Sequence, residues 1–249
     1  MADDDGTARL GSSFGAAATT YAEHRPDYPE AAVRWALEPA PGRRVLDLGA
    51  GTGKLTRLLV ERFSRVIAVE PAPAMRRVLE RVCPRADVHA GSSSQIPLPY
   101  ASVDAVFAAQ AFHWFDDLDE IVRVLRPGGA LVAMFNSPDG PVTPPVDDVE
   151  ALLMAREPSD VNHLPLDLGN PVPEQLEFQH ARFTNPQVLD RDGLVAFYAS
   201  MGWFADLPDA ERLLLREEVR ERLTADRYER VWATDVYWIV EPSRPRVRP

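Results

Sequence analysis

From residue 44 to residue 136 the chain alternates short apolar runs with segments of helical periodicity. This alternation constrains the fold most strongly, because βαβ units assemble into a parallel sheet that is covered by helices. The apolar runs predict strands at 44–48, 65–69, 87–90, 103–108 and 130–135. Helices are predicted at 29–37, 55–63, 73–81 and 118–124, and Pro127-Gly128-Gly129 predicts a turn before the fifth strand. The sequence therefore predicts an α/β protein.

The rest of the chain does not show this alternation of strand and helix patterns. Residues 1–12 and 241–249 are polar and aperiodic, which predicts two flexible tails around a core at 13–136 and a C-terminal part at 176–240. Residues 137–175 carry eight prolines around one helical pattern at 146–155. This stretch is too long for an ordinary connection and predicts a lid, with a disordered insertion as the alternative. The C-terminal part predicts strands at 176–183 and 231–239 and helices at 191–201 and 209–223.

Charge and cysteine content restrict the partners and the compartment. The chain has 27 basic and 38 acidic side chains, a formal charge of -11, which disfavours a nucleic acid or an anionic membrane surface as partner. A small molecule, especially a cationic one, stays open. The lone Cys83 cannot form an intramolecular disulfide, the first residues are acidic, and no apolar run reaches about 18 residues. These features predict a cytoplasmic protein without a membrane partner.

A glycine-rich turn follows the first predicted strand. The strand ends in Asp47, and Gly49, Gly51 and Gly53 then alternate with other residues before a helix. Glycine allows a ligand to approach the backbone without meeting a side chain. Dinucleotide-binding enzymes use a similar turn, but their pattern needs a further glycine where Lys54 stands and avoids a carboxylate beside the pyrophosphate. A nicotinamide oxidoreductase is therefore disfavoured.

Two acidic residues indicate the kind of ligand. Asp47 stands two residues before Gly49, where it attracts a positively charged group. Glu70 ends the second predicted strand, where it can accept hydrogen bonds from two ribose hydroxyls. The alternative is that both are capping carboxylates at strand-to-helix turns. Their joint spacing around the glycines favours a nucleoside that carries a positive charge.

The sequence resembles the class I S-adenosylmethionine-dependent methyltransferases. The motifs that carry the resemblance are Asp47-x-Gly49-x-Gly51-x-Gly53, Val69-Glu70-Pro71-x-x-x-Met75 and Arg126-Pro-Gly-Gly129. A narrower likeness, to the small-molecule branch of methyltransferase type 11 and trans-aconitate methyltransferase-like enzymes, rests on Phe14, Tyr21, Arg25-Pro26, Tyr28-Pro29 and Ala111-Phe-His-Trp-Phe115. The resemblance implies a Rossmann-like three-layer αβα sandwich. Its seven-stranded sheet is mainly parallel with an antiparallel last strand, and an N-terminal helical segment and a lid insertion are added.

The resemblance also implies the cofactor, S-adenosyl-L-methionine, with S-adenosyl-L-homocysteine as its product. By position, the glycine turn would hold the methionine end, Glu70 the ribose, and the residues after strands two and three the adenine. The N-terminal segment would close over the cofactor. The implied cofactor-binding residues are Tyr21, Arg25, Asp47, Gly49, Ala50, Gly51, Gly53, Glu70, Pro71, Met75, Ser92, Ser93 and Gln110. An acid common near Ser92 and Ser93 in the family is missing here.

Aromatic and polar residues beyond the fourth strand are candidates for the acceptor side. The predicted substrate pocket consists of His113, Trp114, Asn136 and Trp203. His113 is the candidate catalytic base, because an imidazole there could remove a proton from a substrate hydroxyl, and the alternative is a pocket wall. The nearest acidic cluster, Asp116, Asp117 and Asp119, fits helix capping better than metal binding, so no metal is predicted.

These features predict a methyltransferase that acts on an oxygen of a small organic molecule, either a hydroxyl or a carboxylate. Nitrogen or carbon methylation is the less favoured variant. A different class of function is a catalytically silent cofactor-binding module that acts through a protein partner. The sequence leaves open whether the protein is a monomer or a homodimer.

Overall fold

The computed structural model describes residues 24–40, 42–115, 118–158 and 171–242. Its seven strands are β1 (Arg44–Leu48), β2 (Arg65–Val69), β3 (Asp87–His89), β4 (Val103–Ala109), β5 (Leu125–Pro138), β6 (Gln179–Asp190) and β7 (Arg227–Val240). Its described helices are α1 (Glu30–Leu37), α2 (Thr56–Leu59), α3 (Pro73–Val82), α4 (Asp119–Val124), α5 (Asp147–Arg156), α6 (Arg191–Ala199), α7 (Gly202–Ala205) and α8 (Asp209–Arg222). A short 3-10 helix spans Phe112–Trp114.

All seven strands join one sheet in the order β3-β2-β1-β4-β5-β7-β6. Strands β1 to β5 are parallel, and β7 runs antiparallel to both β5 and β6. The predicted fold class, a mainly parallel seven-stranded sheet with an antiparallel last strand, is confirmed. The carboxyl ends of β1, β2 and β4 meet at one edge, the usual ligand-binding edge of such sheets.

Buried side chains cover both faces of the sheet. On one face Val33 and Ala36 of α1 and Leu59 of α2 pack with Val45 and Phe107 of the strands. The opposite face buries a second group that includes Leu46, Val106, Phe135 and Ile121 of α4. Because the strands carry apolar residues on both faces, helices must cover the sheet twice, which gives the predicted three layers.

A third hydrophobic cluster lies beyond the end of β5. Pro138, the last residue of β5, pairs with Trp232, so the first residues of β7 extend past it and pair with β6. We call α5 to α8 together with residues 227–232 the helical cap. Its core includes Leu153, Phe197, Phe204, Leu215 and Trp232. The helical cap therefore stands at the carboxyl edge of the sheet.

Several predicted boundaries are wrong. Of the helix predicted at 55–63, only Thr56–Leu59 is helical. Residues 54–55 and 60–62 on either side form turns. β5 begins at Leu125 instead of residue 130, because Val103 pairs with Leu125 and Ala105 pairs with Ala130. The turn predicted at 127–129 is therefore a register irregularity inside a longer strand. The helix predicted at 191–201 ends at Ala199, and α7 follows separately.

The last two strands are also longer than predicted. β6 begins at Gln179 instead of residue 176, because a turn in which the Leu176 N–H donates to the Pro173 carbonyl precedes it. It continues to Asp190 across Pro186, which an edge strand tolerates because one of its sides has no neighbour. β7 begins at Arg227 instead of residue 231. No helix in the described ranges is long and apolar enough to cross a membrane.

Candidate active site

The glycine turn between β1 and α2 has the backbone that its sequence predicts. Gly49, Gly51 and Gly53 have φ angles of 71°, 57° and 92°, a region that favours glycine. The Gly49 and Ala50 N–H groups both donate to the Val69 carbonyl, at 2.8 and 3.1 Å. A Cβ added to Gly51 would have Met75 Sδ, at 3.9 Å, as its one neighbour within 4 Å among the described residues. The surface above Gly51 is therefore open.

Asp47, the fourth residue of β1, precedes this turn and is fully buried. Its Oδ2 accepts a hydrogen bond from Thr56 Oγ1 at 2.6 Å, while its Oδ1 is buried without a hydrogen-bond partner in the described part of the chain. Burial raises the pKa of Asp47 to about 7, the charge of Glu70 adds to the rise, and the Thr56 hydrogen bond opposes it. An unsatisfied buried carboxylate oxygen fits a site that is completed by a cationic ligand.

Glu70 connects the second strand to the glycine turn. Its carboxylate accepts hydrogen bonds from the backbone N–H of Gly51 at 2.9 Å and of Ala72 at 2.8 Å, one on each oxygen. Burial raises the pKa of Glu70, and the two backbone hydrogen bonds oppose that rise. Each oxygen keeps a second lone pair for a ligand hydroxyl. The open surface at Gly51, the Asp47 oxygen that has no partner among the described residues, and this carboxylate together fit the cofactor that the sequence implies.

Gln110 stands where β4 ends and has a φ of 53°, which is rare for a residue other than glycine. Its backbone N–H donates to the Met134 carbonyl at 2.8 Å, and its side chain donates to the Asn136 carbonyl at 2.7 Å. These hydrogen bonds hold the unusual conformation. Strained backbone of this kind concentrates at functional sites.

His113 lies in the 3-10 helix that follows β4. Its ring centroid is 4.9 Å from that of Trp114 and 6.1 Å from that of Phe135. Both ring nitrogens are buried without a hydrogen-bond partner in the described ranges. Burial lowers the pKa of His113 to about 4, so the imidazole is neutral near neutral pH. A neutral ring with a free nitrogen can accept a proton or a hydrogen bond from a ligand.

Two of the predicted pocket residues have partners within the fold. Asn136 is 6% exposed, accepts a hydrogen bond from Thr234 Oγ1 and donates to the Asp27 carbonyl at 3.2 Å. Trp203 is buried in the core of the helical cap beside Phe204. Their exposed surface is small, because both side chains are used in joining elements of the fold.

The other predicted cofactor residues are distributed around the turn. Met75 is buried near Gly51, whereas Pro71 is exposed. The Ser92 and Ser94 hydroxyls are 2.9 Å apart in the turn after β3, and Ser93 between them is half-buried. Arg25 contacts the helical cap. Tyr21, Asp116 and Asp117 lie outside the described residues, and Asp119 is in the first turn of α4.

The N-terminal segment is attached to the site by residues that the sequence did not single out. Asp27 forms ion pairs with Lys54 at 3.0 Å and with Arg57 at 2.5 Å, directly after the glycine turn. Asn185 donates to the Asp27 carbonyl at 2.7 Å, and Gln187 donates to the His24 carbonyl at 2.7 Å. Asn185 and Gln187 are two residues apart in β6, and side chains at this spacing share one face of a strand. This polar alternation is the sequence signal that could have identified both residues.

Within the residues that the structure describes, no group of three or more His, Cys, Asp and Glu side chains is placed to hold a metal ion.

The fold confirms the resemblance to the class I S-adenosylmethionine-dependent methyltransferases that is seen in the sequence, and known proteins share this fold. Residues 46–133 match the family model for a methyltransferase domain. The chain is 52% identical over 130 residues to an uncharacterized methyltransferase of Mycobacterium tuberculosis, a match that covers 51% of this chain and 53% of the relative. It is 42% identical over 137 residues to a malonyl-[acyl-carrier protein] O-methyltransferase of Methylococcus capsulatus, covering 49% of each chain.

The chain thus spans about half the length of the curated relatives it matches. A solved structure from Anaeromyxobacter dehalogenans, named a type II methyltransferase, extends the likeness to nearly the whole chain. It superposes with a TM-score of 0.64 at 29% identity and covers 87% of this chain and 98% of its own. The methyltransferase fold therefore includes the C-terminal part as well as residues 46–133.

Proposed function

We propose that this protein transfers the methyl group of S-adenosyl-L-methionine to an oxygen of a small organic molecule. The observation that carries the proposal is the buried Oδ1 of Asp47, which has no hydrogen-bond partner in the described part of the chain, next to the open Gly51, whose N–H donates to Glu70. A buried carboxylate oxygen without a partner is costly, and a cationic ligand offsets that cost. Dinucleotides, which bring a pyrophosphate, do not match this charge.

Two observations favour oxygen as the acceptor atom. The Methylococcus capsulatus relative is named an O-methyltransferase. His113 lies beyond the end of β4, and its ring nitrogens have no hydrogen-bond partner among the described residues, so it can accept the proton that a hydroxyl must lose when it is methylated. A carboxylate acceptor would need no base.

When bound, S-adenosyl-L-methionine supplies a methyl group that is already reactive because it is attached to a sulfonium. The residues of the chain then have three tasks. Asp47 holds the methionine end and Glu70 the ribose. The helical cap excludes water together with the proposed lid at residues 137–175, which includes α5 and of which residues 159–170 lie outside the described ranges. His113 receives a proton at a ring nitrogen if the acceptor is a hydroxyl.

A two-stage experiment tests the proposal. Calorimetric titration with S-adenosyl-L-homocysteine should give one site per chain. Incubation with S-adenosyl-L-methionine and a set of hydroxy and carboxylic metabolites should then produce S-adenosyl-L-homocysteine and a methylated product, detected by mass spectrometry. Binding without turnover for any acceptor would favour the silent cofactor-binding module. Absence of binding would contradict both functions.

The affinity for the cofactor should depend on pH through Asp47. Its folded pKa is raised to about 7, so below that pH the carboxyl becomes protonated and loses the charge that attracts the cation. If only the ionised form binds, the affinity for S-adenosyl-L-homocysteine falls about tenfold for each pH unit below 7. Calorimetry at a series of pH values measures this slope. In Asp47→Asn the slope should disappear and binding should be uniformly weak; an unchanged slope would contradict the role of Asp47.

Replacing His113 should reduce turnover without changing cofactor affinity. For a hydroxyl acceptor, His113→Gln should lower kcat about 100-fold, the lower end of the usual contribution of a general base. Because the pKa of His113 is about 4, the wild-type kcat should not fall until the pH approaches 4 from above. His89→Gln, at a half-buried histidine on β3, is the matched control. A His113→Gln enzyme with full turnover at every pH would exclude the base.

A further inference from the structure

The carboxylate of Asp27 holds the residues that follow the glycine turn. Asp27 belongs to residues 24–29, which lead into α1 and which we call the strap. Its carboxylate pairs with Lys54 Nζ at 3.0 Å and with Arg57 Nη2 at 2.5 Å. Lys54 comes directly after Gly53. One side of the strap is thus fixed to the turn where the cofactor is proposed to bind.

The backbone of Asp27 is fixed to the other side by two amide side chains. Its carbonyl accepts hydrogen bonds from Asn185 Nδ2 on β6 at 2.7 Å and from Asn136 Nδ2 on β5 at 3.2 Å. Asn136 is buried, and its Oδ1 accepts hydrogen bonds from Thr234 Oγ1 at 2.5 Å and from Asn185. A buried polar network whose members are paired favours one arrangement. The carbonyl of Asp27 therefore has a defined position relative to the sheet.

The same network includes the residue at the end of β4. Gln110, whose φ is 53°, donates from its side chain to the Asn136 carbonyl at 2.7 Å. A chain of contacts therefore runs from Gln110 through Asn136 and Asp27 to Lys54. Gln110 and the glycine turn follow the ends of adjacent parallel strands, β4 and β1. The strap thus connects two strand ends at the edge where sheets of this kind bind ligands.

Burial gives the ion pair between Asp27 and Lys54 more weight than a fully exposed pair would have. The side chain of Lys54 is 15% exposed. Burial lowers the pKa of Lys54, and the Asp27 carboxylate opposes that fall. Burial by itself would raise the pKa of Asp27, but Lys54 and Arg57 together hold it below its ordinary value. Removal of the Asp27 charge would therefore leave a largely buried ammonium beside the Arg57 guanidinium.

We infer that Asp27 is a positioning residue for methyl transfer: through Lys54 it holds the strap against the glycine turn, so that strap and turn form one binding surface for the cofactor. This inference rests on the proposed function. A binding surface that is held in place in advance loses less conformational freedom when its ligand arrives, and so it binds more tightly. Without the ion pair, the strap and the turn would have to be ordered at the moment of binding.

A double-mutant cycle separates positioning from direct contact with the cofactor. The affinity for S-adenosyl-L-homocysteine is measured by calorimetry for the wild type, Asp27→Asn, Lys54→Met and the double variant. Asp27→Asn removes the charge but keeps the backbone carbonyl, and it should weaken binding about tenfold. Lys54→Met should weaken binding less, because Arg57 still pairs with Asp27. The double variant should bind like Asp27→Asn, since both residues act through the same ion pair.

Two further variants separate positioning from a general effect on the fold. Lys54→Arg keeps the positive charge and should recover most of the affinity that Lys54→Met loses. Asp192→Asn is the matched control, because Asp192 is an acid of the helical cap that also pairs with an arginine, Arg220. It should bind S-adenosyl-L-homocysteine like the wild type. A role of Asp27 in stability alone would lower the melting temperature of Asp27→Asn and leave its affinity unchanged.

Each result supports or overturns the inference. Wild-type affinity of Asp27→Asn overturns it, and so does an equal loss in Asp192→Asn. Losses that add in the double variant also overturn it, because one of the two residues would then contact the cofactor directly. If Asp27→Asn does not fold, Lys54→Met and Lys54→Arg decide, and equal affinities of these two variants contradict the inference. Absence of wild-type binding contradicts the proposed function itself, so the two failures are distinguishable.

Discussion

Gly51→Ala should weaken S-adenosyl-L-homocysteine binding about 1000-fold while the protein stays folded, a loss of about 4 kcal/mol. The new methyl group would stand in the open surface above the glycine turn, where the cofactor is proposed to lie. Within the protein its nearest described neighbour is Met75 Sδ at 3.9 Å, an ordinary contact. The φ of 57° costs alanine about 1 kcal/mol, which lowers the melting temperature by a few degrees. Calorimetry and thermal unfolding measure the two effects.

Gly49→Ala is the matched comparison and should have the opposite balance. A Cβ at Gly49 would stand 2.6 Å from the Ala111 Cβ, which is attached directly to the backbone and cannot rotate away. The strain should cost about 3 kcal/mol of folding free energy and lower the melting temperature well below that of Gly51→Ala. If Gly51→Ala binds S-adenosyl-L-homocysteine like the wild type, the cofactor does not lie over this turn.

Glu70→Ala should also weaken S-adenosyl-L-homocysteine binding about 1000-fold, because it removes the acceptor for two ribose hydroxyls, each worth about 2 kcal/mol when the acceptor is charged. It should destabilise the fold as well. The Gly51 and Ala72 N–H groups donate to this carboxylate, and they would lose their partner. Isothermal titration at a temperature where the variant is folded separates binding from stability.

Glu70→Gln refines this test because it preserves the shape of the side chain. The amide offers one oxygen acceptor, and its NH₂ group faces one of the two backbone donors. The affinity for S-adenosyl-L-homocysteine should therefore fall about 100-fold. Glu61→Gln, at an exposed glutamate after α2, should have no effect. Equal affinity of Glu70→Gln and the wild type would mean that Glu70 supports the turn and does not bind the ribose.

The sequence predicted β1 and β2 well because the patterns that define these strands are local. The runs that form β1 and β2 are bounded by polar residues and glycines, so their observed limits equal the predicted ones. The helix after the glycine turn was overestimated, because periodicity continues past Leu59 while the backbone hydrogen bonds change to turns. The extra length of β6 and β7 depends on their pairing with each other, which no single segment encodes.

The residues of the candidate site also fall into two groups, those identified from the sequence and those brought together only by the fold. The sequence by itself determined the α/β class and the glycine turn with Asp47 and Glu70, because these residues are adjacent to strand ends whose positions are set by local pattern. Only the tertiary structure decided that Asn136 joins strands, that Trp203 fills the helical cap, and that Asp27 contacts both Lys54 and Asn185. Asp27 and Asn185 are separated by more than half of the chain, and contacts of that kind exist only after the sheet has brought the two parts together.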